Sequence, residues 1–244
     1  MLGIGAQEFL AGAGVVAGVI GTAGGITSLV AYPALLAVGI PPLAANVTSS
    51  VALLGSGASS ALRAGPDVVG RARTLRRWIP VTVVCSLVGA LLLVVTPAST
   101  FAGLVPFLVL AGATLLLLQP RTSTWQRTHD RALRLVVAAA SGAGVALYNG
   151  YLGAGSGILM ITLLLLTTES VLHRANGLKN VILLLADVLP ALVFVLVGSV
   201  VWRAAWPLGL GALAGGLIGP SVARRLPEAL LRVLIWCCGI GLAV

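Results

Sequence analysis

Acidic residues are almost absent from this chain. Only six Asp and Glu occur in 244 residues, against fifteen Lys and Arg, and charged residues of both signs make up 9% of the total. A soluble domain of this size carries far more charge on its surface, so a water-soluble globular class is excluded. Two histidines (His129, His173) and three cysteines (Cys85, Cys237, Cys238) are too few and too scattered for a metal centre or a disulfide framework. No nucleophile stands beside a base, which argues against an enzyme, and no cofactor is expected. The N-terminus has no basic stretch before its first apolar segment, so no cleavable signal peptide is expected.

What the chain has in quantity is apolar: 59% of residues are hydrophobic, the mean hydropathy is +1.10 and there are 31 glycines. Runs 81–95, 104–118 and 181–201 approach or exceed the length that spans a hydrocarbon core of about 30 Å. Glycine fits this setting, because small residues let helices approach where no hydrophobic effect drives them together. The fold class is therefore an all-α integral membrane protein. The net charge of +9 sits in short loops between apolar spans, where it is expected to anchor the cytoplasmic side against lipid headgroups; nucleic acid is not an expected partner. Trp78, Trp202 and Trp206 fall at span ends, where interfacial anchoring is their expected role.

Two stretches repeat one design. Gly21-Thr-Ala-Gly-Gly25-Ile-Thr-Ser is followed by Ala45-Asn46-Val-Thr-Ser-Ser50; Gly153-Ala-Gly-Ser-Gly157-Ile is followed by Ala175-Asn176-Gly-Leu-Lys-Asn180. Each pairs a glycine-rich break in a long apolar segment (5–39 and 135–168) with an Ala-Asn dipeptide about twenty residues on. The expected organisation is a single transmembrane domain over 1–244, made of repeat 1 (1–118), an Arg-rich cytoplasmic linker (119–134) and repeat 2 (135–244). The remaining candidate spans are 43–62, 78–97, 101–118, 178–201, 204–222 and 229–244. If the long segments cross straight through, five of the basic residues fall outside the membrane. If each dips in and returns, fourteen lie toward the cytoplasm, only Arg203 lies outside, and the two repeats are inverted. The second arrangement, with extracellular termini, is expected: each repeat is a re-entrant broken helix plus three transmembrane helices. The loop 63–77, with five arginines, is read as a headgroup anchor. Gly211, Gly215 and Gly219, spaced by four, predict close helix packing inside the bundle rather than a dimer contact.

A broken helix inside lipid exposes the N–H groups of its second half, a natural anion site. The expected lining is Thr22, Gly24, Gly25 and Thr27 at the first break and Gly155, Ser156 and Gly157 at the second, with Ser28 as a further hydroxyl donor. The alternative is that the glycines only permit tight helix crossing. Asn46, Ser49 and Ser50, and their counterparts Asn176, Lys179 and Asn180, open the helix after each hairpin; an Asn at such a place can also serve simply as a cap. Tyr148 and Asn149 precede the second break and can reach the same cavity. Lys179 needs a partner, which can be an anionic substrate, Asp187, or headgroups reached by snorkelling. Asp187 is the one carboxylate deep in a predicted span; it is a candidate for proton coupling, or for a hydrogen bond to backbone freed by Pro190.

The pattern Gly21–Gly25, then Tyr32-Pro33-Ala-Leu-Leu-x-x-Gly39, then Ala45-Asn-x-Thr-Ser-Ser50, resembles the sulfite exporter TauE/SafE family. Tyr148-Asn-Gly-Tyr-Leu-Gly-Ala-Gly-Ser-Gly157 and Ala175-Asn-Gly-Leu-Lys-Asn180 resemble its second repeat. The first glycine cluster is shorter than the family's, and the second is spaced by Ala154 and Ser156. The resemblance implies a bacterial plasma-membrane carrier that moves small sulfur-containing anions, sulfite or sulfonates, usually outward. A passive anion channel has the same polar lining without a coupling residue, and a membrane-embedded assembly factor or enzyme is a more distant alternative.

Overall fold

The computed structural model describes residues 3–101, 103–104, 131–169, 171–197 and 200–223, and no strand occurs among them. Most of the span expected at 101–118, all of that at 229–244, most of the linker, and Cys237 and Cys238 lie outside the described residues. The helices are α1 (Ile4–Gly24), α2 (Thr27–Ala37), α3 (Pro42–Ala52), α4 (Leu54–Arg63), α5 (Gly65–Val68), α6 (Ala72–Val95), α7 (Arg131–Tyr151), α8 (Ser156–Thr167), α9 (Leu172–Val197) and α10 (Trp202–Ala223). Three stretches among the described residues are long and apolar enough to cross a membrane: Ile4–Thr22, Ala72–Val95 and Leu172–Val197. The protein is an all-helical integral membrane protein. Each long apolar segment is broken where glycine was expected to break it, between α1 and α2 and between α7 and α8.

Apolar side chains face outward along the bundle, and small or hydroxyl-bearing ones are drawn inward among larger buried groups. On α6, Val81, Val84, Val88, Leu91 and Val95 are exposed, whereas Thr82, Ser86, Gly89 and Ala90 are buried. α4 buries Ser56, Ser59 and Ser60 and exposes Leu62. Small side chains on the inner faces let backbones touch, so packing and hydrogen bonds hold the helices where lipid supplies no hydrophobic drive.

Two long contacts repeat the same geometry. Gly14, Gly18, Gly211, Gly215 and Gly219 bring α1 and α10 backbone to backbone, with Ala11 beside Gly211 and Thr22 beside Gly219. Higher numbers meet higher numbers, so the two helices run parallel. The spaced glycines of α10 are thus consumed inside the bundle. In the other pair, Gly142 meets Trp78, Gly150 meets Ser86, and Gly89 meets Leu147 and Tyr151, so α7 and α6 also run parallel.

Several boundaries differ from the sequence expectation. The span expected at 43–62 is interrupted at Leu53, although its dihedrals stay helical and α3 runs on into α4. α6 begins at Ala72 and α7 at Arg131, because neither carries a breaker in its arginine-bearing first turns. α5 occupies part of the loop 63–77. Trp78, expected at the interface, is 2% exposed instead: Gly142 has no side chain, and the indole fills the space against α7. Trp202 and Trp206 are exposed.

One ion pair joins distant parts of the chain. Arg71, just before α6, donates to Glu169, in the link between α8 and α9, and the Val171 N–H adds a bond to Glu169 Oε1 at 3.3 Å. The Arg71 hydrogen bond holds the Glu169 carboxyl below its ordinary value. A depressed carboxyl contributes stability that is complete above the unfolded carboxylate range and is lost as pH falls through the folded value. Glu169→Gln should therefore lower stability near neutrality by on the order of 1 kcal/mol and lose this acid dependence. Thermal unfolding in detergent at neutral and acidic pH checks this; an identical pH profile in the variant would show that the pair contributes nothing.

Candidate functional site

The two breaks abut. A Cβ built on Gly25 would lie 2.6 Å from the Gly157 carbonyl carbon, and one on Gly157 would lie 2.6 Å from the Gly25 oxygen. Gly25 ends α1 at φ +79°, and Gly155 leads into α8 at φ +77°, left-handed values that other residues adopt at a cost of about 1–2 kcal/mol. Neither α2 nor α8 receives a side-chain cap at its N-terminus; the N–H groups of Leu29, Ser156 and Ile158 turn back to the Ile26, Gly153 and Gly155 carbonyls, and the positive ends of both half-helices meet here.

Helices broken inside a bundle also leave carbonyls without partners, and the asparagines satisfy them reciprocally. Asn46 Nδ2 donates to the Tyr151 carbonyl at 3.0 Å, in the last turn of α7; Asn176 Nδ2 donates to the Thr22 carbonyl at 3.0 Å, in the last turn of α1. Each Ala-Asn dipeptide thus ties off the hairpin of the other repeat. Ser28 Oγ adds a third tie, to the Gly153 carbonyl at 3.0 Å.

A cavity of about 100 Å³ opens at the meeting point, room for several waters or one small anion. Thr22, Gly25 and Thr27 border it from the first break, and Asn149, Ser156 and Gly157 from the second. Ser49 and Ser50 face it from α3, and Lys179, Asn180 and Asp187 from α9. Asn46, Tyr148, Gly155 and Asn176 do not border it. The asparagines stand behind its wall, and the Tyr148 hydroxyl donates to the Ala154 carbonyl at 2.7 Å, bracing the second break. Gly24 ends α1 beside Gly25.

The electrostatics are lopsided. Lys179 is 3% exposed and forms no ion pair with any described residue. Its counterpart Ser49 is neutral, and the first repeat contributes only hydroxyls, backbone and apolar groups to the lining. Asp187 accepts a hydrogen bond from Asn149 Nδ2 at 2.5 Å, rather than bonding backbone near Pro190. Sequence reasoning passed over Ser56, Gly57 and Ser60 of α4, which also line the cavity. Their signal was a serine stripe at helical spacing, Ser56, Ser59 and Ser60, within a span otherwise apolar enough to be read as packing.

The family model described as "Sulfite exporter TauE/SafE" matches residues 10–244. The chain belongs to the sulfite exporter TauE/SafE family. It is accordingly a membrane transporter. Among curated relatives, "Probable membrane transporter protein ORF9" from Sinorhizobium sp is 27% identical over 241 residues, covering 97% of this chain and 90% of that protein. "Probable membrane transporter protein YfcA" from Escherichia coli K12 is 25% identical over 219 residues, covering 90% and 81%. A "Probable membrane transporter protein" from Haemophilus influenzae is 25% identical over 237 residues, covering 96% and 91%. No solved structure matches the chain.

Proposed function

We propose that this family member is a secondary transporter of the plasma membrane that carries a small sulfur-containing oxyanion, sulfite or a sulfonate, in the cavity between the two broken helices. The observation that carries this reading is Lys179: a buried ammonium with no ion-pair partner among the described residues, facing a small cavity beside two uncapped helix starts. An isolated buried cation is costly, and an anion relieves that cost with one charge-assisted bond while its other oxygens take backbone N–H and hydroxyl groups. The family description supports sulfite as the first candidate.

Alternating access through inverted repeats fits the same contacts. Val201 N–H donates to Thr48 at 3.0 Å, setting the start of α10 beside α3, and α1 runs parallel to α10. Arg71 meets Glu169, and Gly177 packs on Ala64 and Asp67, setting the start of α9 beside the start of α6, to which α7 runs parallel. On this reading α1 and α7 enter from opposite faces and each hairpin returns to its own. Leu62→Cys and His173→Cys should then be labelled from the cytoplasm and Trp202→Cys from outside. Labelling of positions 62 and 173 from opposite sides would overturn the inverted arrangement.

Transport itself is tested by sulfite and methanesulfonate flux into proteoliposomes with and without a pH gradient. Gradient-driven accumulation supports a carrier. Passive flux alone would make the cavity part of a channel, and no flux of either anion would overturn the substrate assignment.

A further inference from the structure

One wall of the cavity is a chain of side-chain hydrogen bonds. Asp187 on α9 accepts from Asn149 Nδ2 at 2.5 Å, and Asn149 Oδ1 accepts from Ser156 Oγ at 2.5 Å. Asn149 Nδ2 also lies 3.3 Å from Ser86 Oγ, and Ser156 Oγ lies 2.9 Å from the Gly153 carbonyl oxygen. Asn149 and Ser156 are buried, and all three members of the chain, Asp187, Asn149 and Ser156, line the cavity.

A primary amide has one donating end and one accepting end, so its orientation follows the group it touches. An ionised Asp187 accepts only; Nδ2 must face it, Oδ1 faces Ser156, and the serine proton is committed to the wall. The cavity then sees only lone pairs of Ser156, which disfavour an anion. A protonated Asp187 can donate to Oδ1. The amide turns over, Nδ2 donates to Ser156 Oγ, and the serine proton, no longer held by Asn149, can swing from the Gly153 carbonyl to a bound anion.

We propose that Asn149 is a positioning residue that links a proton on Asp187 to the Ser156 hydroxyl, so that one proton and one monovalent oxyanion occupy the transporter together. This rests on the anion-carrier reading above and adds the sense and the charge of the coupling. Charge balance supports it. With the cavity empty, the Lys179 and Asp187 charges line it without forming an ion pair and balance only in sum; with proton and monoanion aboard, Lys179 contacts the substrate and Asp187 is neutral. The net charge of the site is zero in both states, and a low-dielectric interior penalises any other occupancy. Other ionisable groups near Asp187 are few. Lys179 shares its helix, Tyr148 on α7 donates its hydroxyl to Ala154, and Cys85 stands half-buried beside Ser86 on α6. Among the described residues of this lining, α4 and α8 contribute hydroxyls (Ser56, Ser60, Ser156) but no ionisable group.

The test uses the purified full chain and methanesulfonate, which stays ionised across the pH range, in weakly buffered detergent solution. Wild type should take up about one proton per anion bound and bind more tightly as pH falls. Ser156→Ala should bind about tenfold more weakly at acidic pH, losing one charge-assisted contact, and its affinity should vary less with pH than that of wild type. Asn149→Leu should flatten the profile in the same way. Should either variant fail to fold, proton uptake by wild type and the infrared carboxylate band of Asp187, which should fade when anion binds, decide the matter alone. Anion binding without proton uptake would overturn the relay and leave the carrier reading standing, as would an unchanged pH profile in Ser156→Ala. Failure of wild type to bind methanesulfonate or sulfite at any pH would overturn both.

Discussion

Gly157→Val and Gly25→Val are each expected to abolish transport while leaving the protein inserted in the membrane. The two glycines touch through their backbones, and a Cβ on either would stand 2.6 Å from backbone of the other, which cannot rotate aside. The hairpins would have to part, widening the cavity and pulling Asn46 and Asn176 from the carbonyls they satisfy. Overpacking of this kind costs about 1–3 kcal/mol, and at Gly25 the left-handed φ of +79° adds about 1–2 kcal/mol more. Gly25→Val should therefore be the less stable of the pair, with both at background flux. Detergent-solubilised chromatography reports folding and proteoliposome flux reports function. Wild-type flux in both variants would reduce the glycines to a packing role.

Lys179→Met should weaken anion binding by about 2 kcal/mol or more, roughly thirtyfold, the usual value of a charge-assisted contact. Methionine keeps the length and apolar stem, so packing changes little and the loss reports the charge. The neutral Ser49 at the matched position of the first repeat shows that the fold accommodates an uncharged residue there. Lys179→Arg should restore binding only in part, because a planar fork is larger than an ammonium and donates in fixed directions. Asp187→Asn should spare affinity more than it spares proton-linked flux. Isothermal titration with sulfite and methanesulfonate separates the three variants, and unchanged affinity in Lys179→Met would mean that backbone and hydroxyls alone hold the anion.

Much of the architecture was legible because lipid imposes strong rules on composition. Scarce charge and long apolar runs gave the class, and the two glycine clusters gave the breaks, since only glycine takes the φ found at Gly25 and Gly155 without strain. The repeat also pointed to the polar residues that border the cavity, such as Ser49 and Lys179. Other features depend on partners distant in sequence. Trp78 is buried because Gly142 leaves room for it, and nothing near Trp78 announces that glycine. Asn46 and Asn176 look like local helix caps until Tyr151 and Thr22 are seen beside them. The stripe of serines on α4 was visible, but small hydroxyls also serve as packing in lipid-embedded helices, and only the cavity distinguishes the two uses.

The crosswise packing of the helices sets the order in which the chain can be completed during synthesis. α1 leaves the ribosome first, yet the glycines that receive it belong to α10, almost at the end of the described chain. α6 likewise waits for α7. The Thr22 carbonyl of the first break waits for Asn176, so the first half released alone would carry that carbonyl unsatisfied in the lipid. The tips can close only after translation has delivered both copies, and the cavity between them forms only then.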